Sequence, residues 1–193
     1  MYDKLAFNMM MDSIPGWFFI LKKEKLPKDI KEAIKDYDVP SIRLVRNAIE
    51  EGVETEKIME FCKPCFCYEQ MLQVFKGFRN GLSIEQVRTY AKECFESKSM
   101  QYIRETIEAG VDLEYIKEFT KPRYNAVQRF EILRALKLGI PVEQIREFAD
   151  PSISEKYMSI CVTKYALING IIPEEDESTF YDMKRRIEKM LNE

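Results

Sequence analysis

The chain has 193 residues, 46% of them hydrophobic, and a net charge of −3 from 30 basic and 33 acidic side chains. That length suits one domain or one continuous array, the apolar content suits a packed core, and the charge balance gives no global attraction to nucleic acid or anionic membrane. There is no histidine, which removes serine–histidine, cysteine–histidine and histidine-ligated metal chemistry together.

Residues 1–35 read as an N-terminal helical cap. Asp3 and Lys4 precede a short apolar run that Asp12 interrupts, which is not the pattern of a secretory leader. Ile14 to Leu21 is too short to span a bilayer and contains Pro15-Gly16. With five unevenly spaced cysteines, these features suggest a soluble protein in a reducing, cytoplasmic setting. Leu5, Phe7 and Met9–Met11 suggest a short helix that Pro15-Gly16 breaks. Trp17-Phe18-Phe19 then seals the open end of a core or, alternatively, anchors a partner. Leu26-Pro27-Lys28-Asp29-Ile30 resembles the second half of a degenerate copy of the unit that follows, with Pro27 placed as Pro141 is.

A 29-residue unit then recurs at roughly 36–64, 65–93, 94–122 and 123–151. Gly52, Gly81, Gly110 and Gly139 fall 29 residues apart. An aromatic stands fifteen before each (Tyr37, Phe66, Phe95, Tyr124) and another nine after (Phe61, Tyr90, Phe119, Phe148). Ile58, Val87, Ile116 and Ile145 lie six after, and Pro64, Pro122 and Pro151 close three of the four units. Met71, Val74 and Phe78, like Met100, Ile103 and Ile107, follow the spacing of an amphipathic helix. A glycine turn follows, then a short helix for which Ser83 and Asp112 are good N-caps. A degenerate copy spans 152–172, with Met158, Cys161 and Tyr165 in phase and Gly170 two residues late. Pro173 and Glu174-Glu175-Asp176-Glu177 break the array. Residues 173–193 read as a C-terminal capping helix with Phe180, Met183, Ile187 and Met190 on one face. The expected fold is an all-α, right-handed solenoid of four to five two-helix repeats between two caps.

Gln70-Met71, Ile103-Arg104, Glu108-Ala109-Gly110, Glu143-Gln144-Ile145 and Phe148-Ala149-Asp150-Pro151 resemble the elements of short two-helix repeat proteins of bacteria and their mobile elements. The resemblance covers roughly 36–172. It implies a helical-repeat fold and a mobile-element origin, and it brings no catalytic residues. Glu93 in place of the closing proline and Val162 in place of the arginine depart from it.

Three features are candidates for function. Glu56, Glu85, Glu114 and Glu143 begin the second helices, and Arg88, Lys117 and Arg146 stand three residues after the last three, as a self-paired solvated face or a charge ladder for a partner. Met59 breaks that ladder in the first copy. Arg46, Lys76, Arg104 and Arg134 on the first helices form a staggered basic stripe of the kind that follows a phosphate backbone, blunted by Glu50, Glu51, Glu105, Glu108 and Glu131. Cys62, Cys65 and Cys67 have the spacing of half a zinc site or a dithiol, or are small core residues. Cys94 is one repeat away, about 10 Å at helix-packing distance, too far to complete a tetrahedral site without a bend in the turn. No glycine loop for phosphate and no distinct carboxylate pair is present. The reading is therefore a non-enzymatic module that binds another protein, an adaptor or inhibitor of a larger partner, with no cofactor or metal. Its contacts are expected at Arg88, Lys117, Arg146, Arg46, Lys76, Arg104, Arg134 and Trp17. Nucleic-acid binding through the stripe is the alternative, and self-association stays open.

Overall fold

The computed structural model describes residues 27–171 together with Arg185 and Lys189. Among the described residues there are ten α-helices and no strand. A short helix α1 (Lys28–Ala33) comes first. Four 12-residue helices follow at 29-residue intervals: α2 (Val39–Glu50), α4 (Tyr68–Arg79), α6 (Ser97–Glu108) and α8 (Ala126–Lys137). Between them, at the same interval, lie four of seven residues: α3 (Thr55–Phe61), α5 (Ile84–Tyr90), α7 (Leu113–Phe119) and α9 (Val142–Phe148). The last described full helix is α10 (Glu155–Ile168), of 14 residues. Its two extra residues account for the late Gly170. The expected N-terminal cap lies outside the described residues up to position 26, and the C-terminal one does so apart from Arg185 and Lys189, which are helical and exposed.

Each long helix ends in the same backbone device. At the second copy Gly81 N–H donates to Phe78 O (3.0 Å) and Leu82 N–H to Gly77 O (2.9 Å), the paired bonds of a Schellman stop. That stop requires a left-handed residue, and Gly81 has φ +88°. Val53, Val111, Ile140 and Ile171 repeat the arrangement of Leu82. Ser83 and Asp112 then cap the short helices as their sequence suggests, accepting from Gln86 N–H (3.2 Å) and Glu114 N–H (2.8 Å). Pro27 and Pro141 stand in the same N-cap position, with ψ 143° and 135°. A second turn closes each short helix: Phe66 N–H donates to Lys63 O and Phe95 N–H to Lys92 O. The lysine of each turn lies over the ring it brings round, 5.6 Å from the centroid in both cases.

The apolar columns form the core. Ile58, Phe61, Val87, Tyr90, Ile116, Phe119, Ile145 and Phe148 are at most 1% exposed. Met71, Val74, Met100, Ile103 and Ile132 are fully buried on the long helices. Each such side chain contributes about 1.5–3 kcal/mol of transfer free energy. The chain divides into two units, Met1–Ser97 and Lys98–Glu193. In the first, α2 packs on α3 and α4, and α3 on α1, α4 and α5. In the second, α8 packs on α7, α9 and α10, and α9 on α10.

One buried column on the long helices is polar. Gln70 accepts from Cys67 N–H (2.9 Å) and donates to Phe95 O (2.8 Å) in the turn 25 residues on. Gln128 accepts from Asn125 N–H (3.0 Å) and donates to Pro151 O and Ile153 O (2.9 Å each). Each side chain caps its own helix and ties the next copy's turn to it, so a carbonyl at that junction keeps its partner.

Candidate binding surface

The short helices carry the charged columns. Their first turns present Glu56, Glu85, Glu114 and Glu143, all exposed, where acidic groups favour the free N–H groups. In the third copy the glutamate pairs with the basic residue three positions on: Lys117 Nζ lies 2.9 Å from Glu114. Arg88 and Arg146 turn the other way. Arg88 Nε donates to Glu60 (2.9 Å), and Arg146 donates to both oxygens of Glu118 (3.1 and 2.8 Å), in each case a residue 28 positions earlier. The difference follows the acceptor column: Glu60 and Glu118 share a repeat position that Thr89 occupies in the copy before Lys117. An arginine fork engages a carboxylate on the neighbouring short helix with two donors, which a compact ammonium cannot do.

Glu60 is buried, with its side chain 10% exposed. Burial raises its pKa, but hydrogen bonds from Arg88 and Lys63 outweigh this and hold it below the usual carboxylate value. Bonds from Arg146 lower Glu118 against a smaller effect of burial. Beside the second of these pairs stands Tyr115 on α7, 36% exposed. Lys57, Gln86 and Gln144 occupy its column in the other copies. The polar character of that column is the signal, overlooked in the sequence, that the tyrosine is not there for the core.

The first-helix stripe is not an open run of positive charge. Arg46 is paired with Glu50 (2.6 Å). Arg104 is buried, at 6% exposure, and its Nη1 donates to both oxygens of Glu108 (2.8 and 2.6 Å). Arg134 binds Glu131 (2.9 Å), itself 7% exposed. Lys76 is exposed. A buried arginine held by carboxylates is a poor phosphate ligand, since reaching the phosphate means breaking the pairs. Glu131 differs from Glu60 in sign: burial raises its pKa, and Arg134 and a hydrogen bond from Ser159 only partly oppose this.

The cysteine cluster is divided by burial. Cys62 is buried, and burial pushes its thiol up to about 12, whereas Cys65, Cys67 and Cys94 are exposed. Among the described residues no three His, Cys, Asp or Glu side chains come together as a metal-holding group, and no helix is long and apolar enough to cross a membrane. Trp17 lies outside the described residues.

The described chain is thus an all-helical protein in which 12- and 7-residue helices alternate, with acid–base pairs joining successive short helices within each unit. No known protein family, curated protein or solved structure matches it.

Proposed function

We propose that the chain is a non-enzymatic α-solenoid that binds another protein, as a small adaptor or an inhibitor that blocks a larger partner. The regular helix interval and the two glutamines, Gln70 and Gln128, that each tie their copy to the following turn support a repeat array, a fold whose long surfaces serve binding. The observation that carries the reading is Tyr115, an exposed aromatic on a buried scaffold, flanked by the fixed Arg146–Glu118 pair. A tyrosine in such a setting supplies contact area at little cost in conformational entropy. The carboxylate pairing of Arg46, Arg104 and Arg134 favours a protein over a nucleic acid as the partner.

Affinity capture of the tagged chain from its own cells, with and without nuclease and at low and moderate salt, tests this. A dominant protein that survives nuclease and moderate salt supports the reading. Capture that collapses under nuclease, or with the steep salt dependence of phosphate contacts, moves the assignment to nucleic acid. Recovery of the tagged chain alone counts against the reading and leaves self-association or a small-molecule site.

A further inference from the structure

In the long helices one column is buried in every copy except the last. Ser41, Gln70, Ser99 and Gln128 are at most 9% exposed, whereas Tyr157 in the same column of α10 is 55% exposed. In the copies carrying Gln70 and Gln128 the turn of the following copy lies against that column. Ile160 and Ile168 fall three and eleven residues after Tyr157, on the same helical face. Ile160 is half-buried and Ile168 63% exposed. The opposite side of α10 is already in the core through Met158 and Val162, both fully buried. The outer face also carries basic charge: Lys164 falls between Ile160 and Ile168, and Lys156 lies at the edge. Lys156 and Lys164 are exposed, while Glu155 is engaged by Asn125 (2.7 Å).

We propose that this outer face of α10 is a docking seat for the chain's own residues 174–190. That stretch has the complementary chemistry: Glu174, Glu175, Asp176 and Glu177 for the two lysines, then Phe180, Met183, Ile187 and Met190 at helical spacing for the apolar face. Arg185 and Lys189 are helical and exposed. At 100° per residue both fall on the side away from Met183 and Ile187, the side a seated segment leaves to solvent. Docking of this kind supplies α10 with the cover that the following copy gives to Gln70 and Gln128. It does not depend on whether the chain binds a partner.

Hydrogen exchange of the full chain, read on peptides from 155–168, tests the seat. The expected protection of these amides is independent of protein concentration. In a Met183→Asp, Ile187→Asp chain their exchange rises by about tenfold or more, with residues 28–61 unchanged. Unchanged exchange at 155–168 in that variant overturns the proposal. Protection that grows with concentration also overturns it and assigns the face to a second copy. If the variant loosens 28–61 as well, a Glu174→Lys, Glu175→Lys chain decides: selectively faster exchange at 155–168 supports the seat, and its absence rejects it.

Discussion

The hydroxyl of Tyr90 occupies the space that a methyl group on Gly77 would fill. A Cβ built at Gly77 meets the Tyr90 oxygen far inside van der Waals contact, and Leu82 Cδ1 and Tyr90 Cζ at 3.3 Å each. Ala48, Thr106 and Ala135 hold the position of Gly77 in the other copies, and there the facing ring is Phe61, Phe119 or Phe148. The one tyrosine in the ring column is matched by the one glycine in the small-residue column.

Gly77→Ala therefore destabilises the chain, because overpacking of about 1–3 kcal/mol exceeds the gain in helix propensity of about 1 kcal/mol. Tyr90→Phe alone gives up the long bond to Gln73 O (3.3 Å). The double substitution recreates the alanine–phenylalanine pairing of the first and fourth copies, Ala48 with Phe61 and Ala135 with Phe148. Denaturant unfolding of the four chains gives a favourable coupling of about 1 kcal/mol or more; strict additivity would show that the pair does not interact.

Glu60 contributes stability at neutral pH because its folded-state pKa lies below the ordinary value. That contribution is present above the unfolded pKa and is lost as pH falls through the folded one. Glu60→Gln accordingly lowers Tm at pH 7 by a few degrees, on the order expected for one partly buried pair in a chain of this size. Calorimetric scans show the gap closing as pH falls through the lowered folded-state pKa, below which both forms are neutral.

Glu131 behaves oppositely. Its folded-state pKa is raised by burial, so the ionised form weakens the fold at neutral pH and the penalty disappears as pH falls through the raised value. Glu131→Gln, which keeps an amide for Ser159, unfolds at the same or a higher Tm at pH 7. Its advantage shrinks toward the ordinary carboxylate pKa. A large loss of Tm at pH 7 would show that the Arg134 pair outweighs desolvation.

The five thiols separate into two kinetic groups. Cys65, Cys67 and Cys94 react promptly with a disulfide reagent in the native chain, while Cys62 and Cys161 are buried and burial raises the pKa of both. Thiol titration with peptide mapping gives three fast and two slow sites, and denaturant brings all five to one rate. Fast modification of Cys62 would contradict its place in the core.

The helix order was legible in the sequence because its cause is local. A glycine needed at positive φ, an N-cap two residues on and apolar spacing of three and four all act within one turn of chain, so they print a regular column. The charge pairing was only half legible. Spacing within a helix offers Glu85 to Arg88 and Glu143 to Arg146, but the arginines choose Glu60 and Glu118 from the preceding copy. That choice depends on the distance between two short helices, which no local pattern encodes. The trace it leaves is indirect: Thr89 replaces glutamate where Lys117 replaces arginine. Gln70 and Gln128 were hidden for a related reason, since a glutamine within an amphipathic pattern reads as solvated until its distant carbonyl is known.

The central claim is that the short-helix face around Tyr115 grips a protein. Titration calorimetry of the captured partner, purified free of nucleic acid, tests it most directly when Tyr115→Ala is compared with the native chain and with Lys76→Ala on the long helices. The account predicts that Tyr115→Ala weakens Kd by about tenfold or more, the range of an aromatic contact residue, while Lys76→Ala changes it little. Equal Kd for Tyr115→Ala and the native chain, with Lys76→Ala impaired, would contradict the account and place binding on the long helices.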